Sequence, residues 1–392
     1  MKRIYKNSKN LEKYMGIIKI IDCMGDTIFF YKKRKKFNKE NIKKILVVRL
    51  DHIGDMVLLS SFLRNLKNNF PNSEITVLCR KMTNDVLECI PYIDTIQILN
   101  TSWLSRNDSE GWKSILRYLI KHYKKYDLAI DLRGNPIHNI VVSLVGKYSI
   151  GYGCKGLGFL LNKEAIWENK PKHVVERNLD ILKTLNLPVD NGKLELKVDK
   201  KYYESLKNKL DFIEFDKDFI ILCHPISGNK CKNWLFSYWN KLNNLILNKY
   251  KYNNENLKIL YGGSKNDYND ISKNINIGNK NIFNITGKLS LKEYFALIDL
   301  CNLLISIDTF AVHVRAAFDK PLIGIYSGTN YLYEWEPYMD KKIVFQDTSC
   351  PFYPCESFEC LANRHICMEN IKSEIIFKAF KKLRDTHDTK SI

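Results

Sequence analysis

The chain has 392 residues, 45% of them apolar and 27% charged, a balance that excludes a disordered chain and a small disulfide scaffold and allows two domains with their own cores. Its 62 Lys and Arg against 43 Asp and Glu give a formal charge of +19, which points to anionic company: a phosphorylated substrate, a membrane face or nucleic acid. Eleven cysteines, an odd number scattered through predicted strands and helices, read as a reducing cytoplasm. There is no apolar run of about 18 residues to span a bilayer. The N-terminal apolar stretch carries Lys19, Asp22 and Asp26 and lacks a small-residue cleavage site, so no signal peptide is expected.

Residues 1–42 form a basic amphipathic segment. Leu11, Tyr14, Ile18, Ile21 and Ile28 fall near one face of a predicted helix, and KKRKK follows at 32–36. Residues 1–44 hold 14 Lys or Arg against 4 Asp or Glu, about half the excess charge of the chain. An interfacial helix with a basic anchor and an extra helix packed on the first domain both fit this pattern.

From residue 44 strands and helices alternate. Apolar runs at 45–50, 75–79, 95–99 and 127–132 are separated by helical stretches at 55–70, 82–90 and 112–124. A second series runs through 219–225, 257–263, 282–287, 303–308 and 321–327, with helices near 234–250, 265–274, 290–300 and 309–318. Such alternation implies parallel sheets with crossover helices. The predicted domains are 43–200 and 215–385, with the region 186–193 and a charged helix after it as the join. Ligands of such sheets bind beyond the carboxyl ends of the strands.

Three strand-to-helix turns lie at those ends. In RLDHIGD (49–55), Gly54 permits close approach to the backbone, and Asp55 sits at the positive end of a helix dipole, although a plain helix cap also explains it. In HPISGNKCKNW (224–234), Ser227 and Gly228 precede Lys230 and Lys232; these suit a phosphate clamp or are simply exposed lysines at a helix start. In LLISIDTFAVH (303–313), Asp308 ends a strand, and the N–H groups of Thr309, Phe310 and Ala311 open a helix toward any anion placed there. His313 lies one turn further on, either structural or facing the same point.

These motifs, in this order over roughly residues 43–382, resemble glycosyltransferase family 9, the heptosyltransferase-like enzymes. The similar stretches are RLDHIGD with its helix, KNWLFSYW, ITGKLSLKEYFALIDLCNLLISIDT and HVRAAFDKPLIGIYSGT. The resemblance implies a GT-B fold, two Rossmann-like domains facing a cleft. It implies inverting sugar transfer without metal or cofactor, the sugar being heptose from ADP-heptose. The implied acceptor is a lipid-linked, phosphorylated lipopolysaccharide core or related surface glycan at the cytoplasmic face of the inner membrane. Asp55 matches the catalytic base, with Asp51 as rival. Ser227, Lys232, Asp267, Asp308, Thr309, Phe310, Ala311 and His313 match the donor side, and Gly54 and Arg133 the acceptor side. Phe310 stands where the family usually has Gly, and Arg133 where Gln is common.

No nucleic-acid motif accompanies the basic charge. A sugar-nucleotide epimerase or hydrolase of the same fold, or a non-enzymatic polyanion-binding protein, remain the alternatives. In the tail, Cys350, Cys355, Cys360 and Cys367 follow C-x4-C, C-x4-C and C-x6-C spacing, without the tight C-x2-C pairs of structural zinc. Similar cysteines in relatives imply a structural role.

Overall fold

The computed structural model describes residues 3–6, 12–99, 110–249 and 257–388. The chain divides into two compact units, 1–192 and 193–392.

The first unit is a six-stranded parallel sheet: β1 (Lys44–Val48), β2 (Glu74–Cys79), β3 (Thr95–Ile98), β4 (Tyr126–Asp131), β5 (Gly146–Tyr152) and β6 (Lys163–Ala165). Its spatial order is β3-β2-β1-β4-β5-β6, so the winding reverses between β1 and β4. Ile45, Leu46, Val47 and Val48 have no exposed surface, as a strand covered on both faces requires. The longer helices are α1 (Met15–Ile28), α2 (Ile53–Asn69), α3 (Glu110–His122), α4 (Pro136–Val145) and α5 (Val174–Thr184). The start of α4 combines Pro136 at its first turn with an Asn135 cap, whose Oδ1 accepts the Ile137 N–H at 3.0 Å.

The second unit repeats the plan with β7 (Phe219–His224), β8 (Leu257–Tyr261), β9 (Ile282–Asn284), β10 (Leu303–Ile307), β11 (Leu322–Tyr326) and β12 (Lys342–Gln346), all parallel. The order β12-β11-β10-β7-β8-β9 places its reversal between β7 and β10. Its longer helices are α6 (Lys200–Lys209), α7 (Phe236–Lys249), α8 (Leu291–Leu300), α9 (Phe310–Ala317) and α10 (Ser373–Asp388). The charged helix α6 packs on α8, where Ser205 and Lys209 both donate to Glu293, so it belongs with this unit. Trp234 and Trp239 are core residues, and the Trp234 indole donates to the Ile371 carbonyl at 2.9 Å.

α1 is a packed helix, but not on the face read from sequence. Ile18 turns inward, Leu11 lies outside the described residues, and Ile17, Ile20 and Met24 point outward. Three lysines of the basic run are also engaged. Lys32, Lys33 and Lys35 donate to the carbonyls of Leu160, Gly158 and Lys147. Among the described residues no helix is long and apolar enough to cross a membrane.

Candidate functional site

Each unit carries a cluster of charged side chains at its own reversal point, the crevice where open α/β sheets take ligands.

In the first unit, Arg49, Asp51 and His52 follow β1, and α2 begins at once. Arg49, Asp51 and Asp55 are all buried. Arg49 Nη2 donates to Asp55 Oδ1 at 3.0 Å, and its Nε lies 2.8 Å from Asp51 Oδ2. That second approach is a charge contact outside hydrogen-bond geometry, since neither atom has a hydrogen-bond partner. From the turn after β4, Arg133 Nη1 reaches Asp51 Oδ1 at 2.7 Å and stands 3.9 Å from Asp55 Oδ1. The helix cap is His52 rather than Asp55. Asp55 is the third helical residue, and its Oδ2 accepts the His52 N–H at 3.2 Å, one half of a capping box. Gly54 sits in the same first turn.

Beneath this cluster lies Asp131, the last residue of β4 and fully buried. Its carboxylate accepts the N–H groups of Arg133 and Gly134 and sits 2.8 Å from His138 Nδ1. Gly134 has φ +66°, and a Cβ there would stand 2.8 Å from Cys154 Sγ, so both the tight turn and the close packing need glycine. The turn therefore fixes the root of Arg133. Burial opposes the charge of Asp51, but the guanidiniums of Arg49 and Arg133 outweigh it and hold the carboxyl below its ordinary range. Burial, with the Arg133 charge beside it, lowers the Lys155 ammonium to about 8. Asp131, His138 and Lys155 escaped the sequence reading because single polar residues inside apolar or loop segments carry no periodic signal.

In the second unit, Lys232 follows β7 and Asp308 follows β10, and their side chains meet at 2.6 Å (Nζ to Oδ2). Thr309 caps α9, its Oγ1 accepting the Ala311 N–H at 3.3 Å, which engages one of the N–H groups expected to face an anion. Behind the cap, Arg315 is wholly buried and donates to the carbonyls of Cys301, Asn302 and Pro321, fixing α9 against the ends of β10 and β11. His313 is buried on the same helix. The Phe310 ring packs edge-on against His224 at 5.3 Å between centroids, with Tyr294 and Phe295 beyond. Burial lowers His224 to about 4, so it is neutral near pH 7. Burial also raises the Tyr294 hydroxyl, which stays protonated and shares a hydrogen bond with His224 Nδ1 at 2.7 Å.

The remaining expected residues have visible local duties. Ser227 donates its hydroxyl to the Asn229 carbonyl and its N–H to Asn233 Oδ1, closing the loop that carries Lys232. Asp267 lies after β8, beside the switch strands rather than between them, and its Oδ2 accepts both the N–H and the hydroxyl of Ser264 at 2.7 Å. The C-terminal cysteines fold back on the Lys232 loop: Cys231, Cys350, Cys355, Cys360, Cys367 and His365 line one small pocket. No disulfide links these five thiols. Among the described residues no three His, Cys, Asp or Glu side chains are grouped to hold a metal ion.

Comparison with known proteins follows the same geometry. Residues 117–365 match glycosyltransferase family 9 (heptosyltransferase), a span that includes the Asp131 turn, Lys232 and Asp308. The lipopolysaccharide core heptosyltransferase OpsX of Haemophilus influenzae is 23% identical over 299 residues, covering 74% of this chain and 80% of its own. A solved family 9 glycosyl transferase from Veillonella parvula superposes with a TM-score of 0.72 at 20% identity, over 87% of this chain and 97% of that one. The Escherichia coli ADP-heptose lipopolysaccharide heptosyltransferase II gives 0.69 at 18% identity, over 88% and 99%. These likenesses show the fold: two Rossmann-like units of the GT-B class.

Proposed function

The chain belongs to glycosyltransferase family 9, and from that premise we propose that it transfers heptose from ADP-heptose to a lipopolysaccharide-core or related surface-glycan acceptor, with inversion and without a metal ion. The observation that carries the reading is the Lys232–Asp308 pair at the reversal point of the second unit, beside the N-terminus of α9. A leaving nucleoside diphosphate gains negative charge as its bond to the anomeric carbon breaks. An ammonium group and a helix N-terminus already in place stabilise that charge without reorganisation. Asp308 holds Lys232 in position until the diphosphate competes for it. The sugar-transferring relatives named above support the donor assignment.

On the acceptor side, Asp55 takes the proton of the attacking hydroxyl. Asp51 is the poorer proton acceptor, because two guanidiniums stabilise its charged form. Arg133 and Gly54 border the acceptor, and Arg133 meets its phosphate. Ser227, Thr309, Phe310, Ala311 and His313 border the donor, and Asp267 its ribose. A lipid-linked acceptor of this kind goes with a location at the cytoplasmic face of the inner membrane, which is part of this proposal.

The test is ADP release from ADP-heptose with and without a heptose-deficient core acceptor. Release that requires the acceptor supports the transferase. Equal release without it makes the protein a hydrolase, and an altered sugar with no ADP released makes it an epimerase.

A further inference from the structure

We propose that the outer face of α1 is a docking surface for an anionic lipid bilayer. This rests on the reading that the acceptor is lipid-linked, but its evidence lies in the helix itself.

α1 is amphipathic in an unusual sense. The stripe turned to the domain is Met15, Ile18, Asp22, Gly25 and Phe29, and the two residues of it that are fully buried are an acid and a glycine. Ile17, Ile20, Met24 and Ile28, spaced by three or four residues, form a separate row with 61–63% of their surface exposed. Ile21, Phe30 and Tyr31 extend that row. A helix that merely covered the domain would bury its isoleucines, because that burial is its main source of stability. A contiguous exposed apolar face marks an interaction site.

The rotation of the helix is fixed by polar contacts rather than by the apolar row. Arg3 bridges Asp22, Asp26 and Glu164 at 3.1, 3.1 and 2.6 Å. Asp22 also accepts the Leu157 N–H at 2.8 Å and the Tyr5 hydroxyl at 2.9 Å. Gly25 lies so close to the Phe159 ring that a Cβ would stand 2.3 Å from it. Turning the isoleucines inward would break all of these contacts.

Charge complementarity identifies the occupant. Exposed Lys13 and Lys19 flank the row at one end, and exposed Arg34 and Lys36 at the other. Lys32, Lys33 and Lys35, in the same run, donate to backbone carbonyls. The acids of the helix, Asp22 and Asp26, are both paired with Arg3. An apolar row rimmed by cations matches anionic headgroups over acyl chains. It does not match a second copy of itself, which would set cation against cation. At 14 residues the helix is about 21 Å long, suited to lying in the interface and too short to span it.

The test is co-sedimentation of the full chain, with no sugar donor, with vesicles of equal phosphatidylglycerol and phosphatidylethanolamine and with vesicles of phosphatidylcholine. Binding is expected to the anionic vesicles and to weaken with salt. The variant Ile17→Ser/Ile20→Ser/Met24→Ser/Ile28→Ser is expected to lose it by about tenfold or more, with an unchanged melting temperature. A second variant, Lys13→Glu/Lys19→Glu/Arg34→Glu/Lys36→Glu, keeps the apolar row and is expected to lose it as well. Equal binding by wild type and both variants overturns the proposal, as does no binding by wild type. So does a concentration-dependent dimer abolished by the serine variant. Vesicle binding that survives a failure to use ADP-heptose defeats the functional reading alone.

Discussion

Lys232 and Asp308 leave two neighbouring strands that are far apart in sequence, and their side chains meet at 2.6 Å where the winding of the second sheet reverses. The ammonium is thereby held at the one point of the sheet where the helices diverge to admit a ligand. Lys232→Ala is expected to weaken ADP binding about tenfold and to lower kcat by about 10²-fold, because leaving-group charge grows in the transition state. Calorimetric titration with ADP and initial rates check the two effects separately. Lys232→Arg is expected to recover part of the binding. Unchanged ADP affinity in Lys232→Ala removes the lysine from the donor site.

The two carboxylates of the first unit are separable in the same way. Asp51 shares Arg49 with Asp55 but also takes the stronger grip of Arg133, at 2.7 Å against 3.9 Å. Asp51→Asn is therefore expected to raise the acceptor KM by freeing Arg133, with kcat kept within about tenfold. A collapse of kcat with unchanged KM would exchange the roles of the two residues.

Phe310 opens α9, and its ring fills a cluster with His224, Tyr294 and Phe295. Phe310→Gly removes that packing and adds backbone freedom to α9, at a cost of about 3 kcal/mol. Thermal or denaturant unfolding measures it. A loss below about 0.5 kcal/mol would mean that the ring does not pack there in solution.

His224 supplies the pH dependence. Burial depresses it from 6.5 to about 4, so as pH falls through that window the unfolded chain takes up a proton that the folded chain refuses. Stability therefore declines with falling pH, by about 2 kcal/mol for this group between neutral pH and pH 5. His224→Gln keeps a hydrogen-bond partner for Tyr294 and has no proton to gain. Its unfolding free energy is expected to fall less steeply than wild type over the same range, and parallel curves would contradict the assignment.

Much of this was legible in the chain because the buried parallel strands are near-continuous apolar runs. ILVV at 45–48 and LLISI at 303–307 cannot be solvent-facing, and the turns after them are where ligand chemistry belongs. What the pattern concealed has physical causes. α4 is rich in Ile and Val, which favour strands in isolation, and only packing on β4 and β5 makes it a helix. β5, GKYSIGY, is broken by Gly, Lys and Ser and has no clean alternation. Edge strand β12 is half-buried and short. The pairing of Lys232 with Asp308, and of Arg133 with Asp51, joins residues that only sheet topology brings together. The face read for α1 included Ile21 and Ile28 of the outward row but put Ile18 with them and left out Ile17, Ile20 and Met24, because periodicity locates an apolar face but not the direction in which tertiary contacts turn it.

In the proposed reaction the carboxylate of Asp55 accepts the acceptor's proton. The direct measurement is acceptor-dependent ADP release by Asp55→Ala beside wild type, on protein shown to be folded by circular dichroism. A fall in kcat of about 10²–10⁴ with ADP affinity retained is the predicted result. Turnover close to wild type in that folded variant would contradict it.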